Sequence, residues 1–267
     1  PAAWLTIPGV MGAQALSGIA KDLNKMSAKS SIKLLVPDSQ QGTLYQWVAI
    51  LTGSKNALKG VGFFMGGALL ALFGFTGAVL AMAAVLALIW LASLLLLKKD
   101  LGKAKAKPKF REILSKSRAI NSLSAARLFL FGARDVWFVV ALPVYLSSVF
   151  GWDFWLVGGF LAAWVIGYGM VQSFAPAITG KASGQLPDGR AAFVWAAVLA
   201  GLPAAIALGL SSDLPTQWVL LGGLMLFGVL FAVNSSLHSY LIVSYAKADG
   251  VSLDVGFYYM SNALGRL

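Results

Sequence analysis

Residues 60–97 read GVGFFMGGALLALFGFTGAVLAMAAVLALIWLASLLLL, without one Asp, Glu, Lys or Arg. A helix crosses the hydrocarbon core of a bilayer in about 20 apolar residues. The run is therefore long enough for two crossings, and Phe73-Gly74-Phe75 is the natural place to turn between them. Further apolar runs occupy 136–151, 154–170, 191–210 and 218–233. One soluble core cannot bury so many. Composition agrees: 58% of the chain is hydrophobic and 12% is charged, against about 25% charged in soluble domains. Strict apolar–polar alternation with aromatic girdles, the mark of a membrane barrel, is absent. The fold class is all-α, a polytopic helical membrane protein.

Eight segments are expected, at roughly 5–34, 46–73, 76–97, 119–149, 153–179, 190–210 and 216–245, with an eighth starting at 252. Breakers separate them: Pro37-Asp38, Gly151-Trp152-Asp153, Pro187-Asp188-Gly189 and Ser211 to Pro215. Nine Lys and Arg fall in 98–118, opposed by Asp100 and Glu112. Basic loops stay in the cytoplasm, so this linker is expected inside. Alternation then puts 180–190, with Lys181 and Arg190, and 246–251, with Lys247, on the same side. The opposite turns, 74–76, 151–153 and 211–215, hold no Lys or Arg. The net charge of +11 is thus explained by cytoplasmic loops beside anionic lipid, and needs no nucleic acid. The organisation is read as 1–97, three helices ending one bundle; 98–118, the linker; and 119–267, an incomplete second bundle.

Several charges lie inside the segments. Lys21, Lys25, Lys29 and Lys33 recur every four residues along the first, beside Asp22, and residues four apart share a helix face. Lys55 and Lys59 repeat the spacing in the second. Arg127 and Arg134, with Asp135, lie in the fourth. A cation at bilayer depth costs about 2.5 kcal/mol or more unless paired or hydrated. Lys21, Lys25, Arg127 and Arg134 are therefore assigned to the protein interior or a water-filled cavity. Lys29 and Lys33, nearer the segment end, are assigned to snorkelling or structural pairs. Asp22 pairs with Lys25, three residues on. Neighbours in sequence point apart on a helix, so Asp135 is expected to pair with a cation elsewhere or to titrate, not to join Arg134. Cations outnumber anions, and a low-dielectric cavity with that balance attracts an anion. Arg suits phosphate or carboxylate oxygens through paired donors, and Lys supplies a point charge.

A second polar stretch is AVNSSLHSYLIVSY at 232–245. Asn234 and His238 share a face, with Tyr245 close to it. They serve either interhelical hydrogen bonds or substrate contact, with His238 also a proton site. Gln172 and Met170 are read as packing residues. Gly62-Phe63-Phe64-Met65-Gly66 has the close-packing G-x-x-x-G spacing. With no Cys and a single His, no metal cluster or thiolate site is expected, and no cofactor is indicated.

The order of elements, two groups of helices joined by a long basic linker, resembles the major facilitator superfamily. GKASGQLPDGR at 180–190 resembles that family's cytoplasmic loop motif, with Asp188, Gly189 and Arg190 in place. GFFMGG at 62–67 resembles its G-P-x-x-G-G helix motif, with Phe63 where the proline stands. On that pattern the chain is expected to begin in the fourth helix and end in the eleventh of a partial two-bundle fold. Longer strings are similar to the organoarsenical efflux transporters of this superfamily: LSGIAKDLNKMSAKSSIKLL, YQWVAILTGSKNALKGVGFF, SAARLFLFGARDVWFVVALPVYL and NSSLHSYLIVSYAKADGVSLDVGFYYMSNALGR. The resemblance implies export of 1-arseno-3-phosphoglycerate across the inner (plasma) membrane by alternating access, conferring arsenate resistance. It also implies a partner glyceraldehyde-3-phosphate dehydrogenase that makes the ester. Absence of Cys suits a pentavalent, oxygen-rich compound better than thiolate capture of trivalent arsenic.

On this reading the substrate contacts are Lys21, Lys25, Lys55, Lys59, Arg127, Arg134, Asn234 and His238. Asp22, Asp135 and His238 are candidates for proton coupling, while anion exchange would need none of them. The alternative is an exporter or exchanger of another organic anion, a sugar phosphate or carboxylate. A membrane enzyme on an anionic lipid or sugar phosphate is a different class, and the segments hold no acidic cluster or nucleophile–base set for it. The orientation predicts that a cysteine replacing Lys105 is shielded from an impermeant thiol reagent in intact cells, while one replacing Asp213 reacts. Labelling of position 105 from outside would defeat the topology.

Overall fold

A computed structural model describes residues 3–96, 117–180, 186–247 and 250–265, with side chains from residue 7 onward at the first end. The elements are α1 (Ala3–Leu35), α2 (Gln41–Leu96), α3 (Arg118–Val136), a π-helical turn (Trp137–Ala141), α4 (Leu142–Ser148), α5 (Phe154–Thr179), α6 (Gly189–Leu210), α7 (Thr216–Tyr245) and α8 (Val251–Leu264). No strand occurs among the described residues. The basic linker lies outside them except for Ser117 and Arg118.

Among the described residues, five stretches are long and apolar enough to cross a membrane: Gln41–Leu96, Arg118–Ser148, Phe154–Thr179, Gly189–Leu210 and Thr216–Tyr245. Straight, the 56 residues of α2 would reach about 84 Å at 1.5 Å per residue, far beyond one bilayer. Gly74 breaks it, with φ 65° and ψ 179°, a conformation open essentially to glycine alone. The expected turn at Phe73-Gly74-Phe75 is therefore made by one residue. The first and eighth segments are also helices, but neither is in this apolar set: α1 carries four lysines and Asp22, and α8 has 14 residues.

The other breakers act as helix starts. Asp153 caps α5, its carboxylate accepting from Leu156 N at 2.7 Å. Asp188 caps α6, accepting from Arg190 N and Ala191 N at 3.0 Å each. These acceptors satisfy backbone donors that a helix cannot satisfy itself. The π turn precedes Pro143, the second residue of α4. Proline cannot donate to, and its ring crowds, the carbonyl four residues back, so a widened turn at that point relieves the clash.

The chain forms two compact units. The first contains α1, the start of α2, α3, the end of α7 and α8. Here α3 and α8 meet at glycines. A Cβ on Gly132 would land on the Gly265 carbonyl oxygen, and one on Gly265 on the Leu128 carbonyl. The second unit contains the rest of α2, the π turn, α4, α5, α6 and most of α7. Its core is an aromatic chain. Trp137 meets Phe227 edge-on at 5.1 Å, Phe227 stacks on Phe231, and Tyr168 links Phe231 to Trp164. The buried Trp164 indole donates to Leu224 O at 2.9 Å.

Close helix approach in the second unit corrects the sequence expectation. Nothing lies within 4 Å of a Cβ placed on Gly62 or Gly66, so among the described residues the G-x-x-x-G pair packs against no helix. The approach is made instead by Gly53, Gly60 and Gly169. A Cβ on Gly53 would strike Ser173 and the Gly169 carbonyl, one on Gly60 Ile166, and one on Gly169 the Ala57 backbone. Small residues on one helix face let two backbones touch, and Gly53 and Gly60, two turns apart on α2, are less conspicuous in sequence because Leu51, Asn56 and Leu58 lie beside and between them. Gly169→Leu is therefore expected to destabilise the detergent-solubilised protein by about 1–3 kcal/mol. Gly62→Ala is expected to be neutral or stabilising, within about 1 kcal/mol. Equal melting temperatures for the two variants would contradict the assignment.

Candidate functional site

In the first unit the intrahelical cations gather over two aromatic rings. Tyr259 of α8 carries two ammonium groups of α1, Lys25 Nζ at 5.7 Å and Lys29 Nζ at 5.1 Å from the ring centroid. Phe131 of α3 carries two guanidinium groups of its own helix, Arg127 at 3.4 Å and Arg134 at 4.8 Å. The spacings explain this. Residues 25 and 29 are one turn apart, and 127, 131 and 134 follow the i, i+4, i+7 stripe of one helix face. Arg127 also lies 4.9 Å from the Tyr258 ring, and its Nε donates to Asn262 Oδ1 at 3.2 Å. The glycine contact between α3 and α8 brings these groups within reach. Ser252 Oγ donates to Ser30 Oγ at 3.1 Å and ties α8 to α1 beside Lys29.

A cation–π contact is worth about 0.5–2 kcal/mol. Burying an ion costs several kcal/mol unless its donors are satisfied. The rings therefore orient the cations without fully offsetting burial. Arg127 is 5% exposed and Lys29 3%. The Lys29 ammonium, with three donors, has no hydrogen-bond acceptor among the described residues. This corrects its assignment to snorkelling or a structural pair: the α8 aromatic face covers α1 at this turn, so the side chain has no route to water. Lys33 does make the structural pair, donating to Asp38 Oδ1 at 2.9 Å.

The Lys25–Asp22 ion pair forms as the spacing predicts, with Asp22 more than half exposed. Asp135 does not behave as expected: it accepts from Arg134, its sequence neighbour, through both Nε and Nη2. Adjacent Cα–Cβ bonds diverge, but the long arginine side chain folds back, and both side chains are largely shielded from solvent. Lys21 is exposed on α1, and Lys55 and Lys59 are exposed on α2. Structure thus brings together Lys25, Arg127 and Arg134 of the expected site residues and adds Lys29, Tyr258, Tyr259 and Asn262. The aromatic stripe F-Y-Y at 257–259 was the available signal for the last group.

The second unit holds a separate polar bridge. Gln172 is fully buried. Its carbonyl accepts from Asn56 Nδ2 at 2.6 Å and its Nε2 donates to Ser235 Oγ at 3.0 Å, joining α2, α5 and α7. Asn234 Nδ2 donates to Trp195 O at 2.9 Å on α6 and to Leu230 O at 3.0 Å, which is the interhelical packing role left open above. His238 is buried on the same helix. An apolar cavity of about 390 Å³, lined by Trp137, Tyr145, Pro203 and Phe227 among others, has no charged side chain and does not suit an anion.

The family model described as Major Facilitator Superfamily matches residues 2–267. No curated protein and no solved structure matches the chain. With helices throughout its described residues, several of membrane-spanning length, and a family match over almost its whole length, the chain belongs to the major facilitator superfamily of membrane transporters. It is a multi-pass membrane protein.

Gln172 carries the polar connection between three helices, and replacing it strands the buried Ser235 and the half-buried Asn56. Gln172→Leu is expected to lower stability by about 1–3 kcal/mol per partner left unsatisfied, read from thermal unfolding in detergent. An unchanged midpoint would show that Asn56 and Ser235 find other partners.

Proposed function

We propose that this transporter exports an anionic organoarsenical, an arsenate ester such as 1-arseno-3-phosphoglycerate, and so confers arsenate resistance. The observation that carries the reading is the gathering of Lys25, Arg127 and Arg134 over Tyr259 and Phe131, with Arg127 buried. A membrane protein keeps such cations where they meet an anionic ligand or a pathway for one. The ester bears phosphate and arsenate oxygens, which accept paired hydrogen bonds from guanidinium groups. The four strings similar to organoarsenical exporters supply the identity of the ester, which the cations alone do not. Lys21, Lys55, Lys59 and His238 are proposed as further substrate contacts, Asn234 being held in helix packing, and Asp22, Asp135 and His238 as groups for proton coupling. On the same resemblance the protein works in the inner (plasma) membrane with a glyceraldehyde-3-phosphate dehydrogenase that makes the ester.

The second reading, export or exchange of a sugar phosphate or carboxylate, draws on the same cations. Uptake into inverted vesicles separates the two: the arsenate ester is expected to be transported without chemical change and to be preferred over sugar phosphates. If Arg127 and Arg134 hold its oxygens, Arg→Lys keeps charge but loses the fork, and transport is only partly restored. Arg→Gln is expected to be worse. Loss of one charge-assisted contact of about 1.5–3 kcal/mol corresponds to roughly ten- to a hundredfold in affinity. Normal uptake per molecule in membrane by both Arg→Gln variants would leave these residues as structural partners of Asp135 and Asn262.

A further inference from the structure

We infer that Lys29, with Lys25 and Arg127, forms an occluded site for a soluble tetrahedral oxyanion, a phosphate or arsenate group, between α1, α3 and α8. The inference deepens the proposed function and rests on it for the idea that the ligand is carried. Its own support is geometric. Lys29 is 3% exposed, and its ammonium has no hydrogen-bond acceptor among the described residues. One side faces the Tyr259 ring at 5.1 Å, which supplies electron density but no lone pair. Lys25 shares that ring, and both Lys25 and Arg127 stand near enough to Lys29 for their charges to repel it.

The nearby acceptors do not serve the Lys29 ammonium. Asp22 is engaged by Lys25 and is more than half exposed. The Asn262 carbonyl is taken by Arg127 Nε. Ser30 and Ser252 bond to each other. The Lys29 ammonium needs oxygen acceptors, and its charge needs a negative one. A tetrahedral oxyanion supplies both at once, with several oxygens and more than one charge. A carboxylate offers less charge and a planar pair of oxygens better suited to one guanidinium.

The test is thermal unfolding of the full purified protein in detergent, titrated with inorganic phosphate, inorganic arsenate, or sodium chloride at matched ionic strength. Phosphate and arsenate are expected to raise the melting temperature of the wild type beyond chloride, since a ligand that binds the folded state stabilises it. Lys29→Met removes a buried unsatisfied cation and keeps its length. It is expected to melt at the same temperature or higher without phosphate, and to lose roughly ten- to a hundredfold in apparent phosphate affinity. Lys29→Arg is expected to keep most of the phosphate response. If Lys29→Met does not fold, Lys29→Gln makes the same comparison with polar atoms retained.

An unchanged phosphate response in Lys29→Met or Lys29→Gln would overturn the inference. So would equal stabilisation by chloride, or stabilisation by phosphatidylglycerol with none by inorganic phosphate or arsenate, which would mark a lipid-headgroup contact. Vesicle uptake of the arsenate ester separates this from the proposed function. Wild-type uptake that Lys29→Met leaves intact defeats the site and spares the reading. A lost phosphate response in Lys29→Met, with no wild-type uptake of the ester, spares the site and defeats the reading.

Discussion

Positive charge in a low-dielectric setting is the constraint around which the first unit is arranged. Lys25, Lys29, Arg127 and Arg134 sit on helices whose remaining surface is largely apolar. Lipid would force such groups to its edge or to neutral partners. The chain instead faces them toward two rings, Tyr259 and Phe131, each serving two cations. A ring attracts a cation without neutralising it. Two of the four also hold carboxylates, Lys25 with Asp22 and Arg134 with Asp135, while the Lys29 ammonium has no acceptor among the described residues.

That arrangement depends on backbones that approach closely. Gly132 and Gly265 let α3 and α8 touch, and only then does Arg127 reach Asn262 and the Tyr258 ring. The second unit uses the same device between α2 and α5, where Gly53, Gly60 and Gly169 allow contact and Gln172 supplies the polar cross-link to Asn56 and Ser235. Between apolar helices in lipid there is little hydrophobic drive to associate, so tight packing and buried hydrogen bonds must hold them. In each unit, then, a glycine contact sets the distance and a polar side chain sets the register.

Membership of the major facilitator superfamily makes the protein a membrane transporter. On the function proposed above, the charge pattern is what would select an anion. Arg127, Lys25 and Lys29 come from helices on either side of the basic linker in sequence, yet they belong to one compact unit. The neutral lining of the cavity near Trp137 and Pro203 offers no comparable recognition.

The sequence by itself determined the helical membrane class, the segment limits and the turn at Gly74, because each follows from local physics: apolar length against bilayer thickness, and a backbone conformation that one residue type allows. It also marked Arg127, Arg134 and Lys25 as out of place in lipid, since that judgement needs only depth and charge. What it left open were the partners. Lys29 and Lys33 share spacing and chemistry on α1, yet Lys29 lies against Tyr259 without an acceptor among the described residues and Lys33 reaches Asp38. Asp135 turned to its neighbour, and Gln172, which reads as packing, became the hub of three helices. The working glycines were Gly53, Gly60 and Gly169, not Gly62 and Gly66. Each of these depends on which face of one helix meets which face of another, and a helix presents its pattern without stating what lies opposite. Only the tertiary structure, by fixing those contacts, decided which of these cations are paired and left Lys29 buried without an acceptor among the described residues.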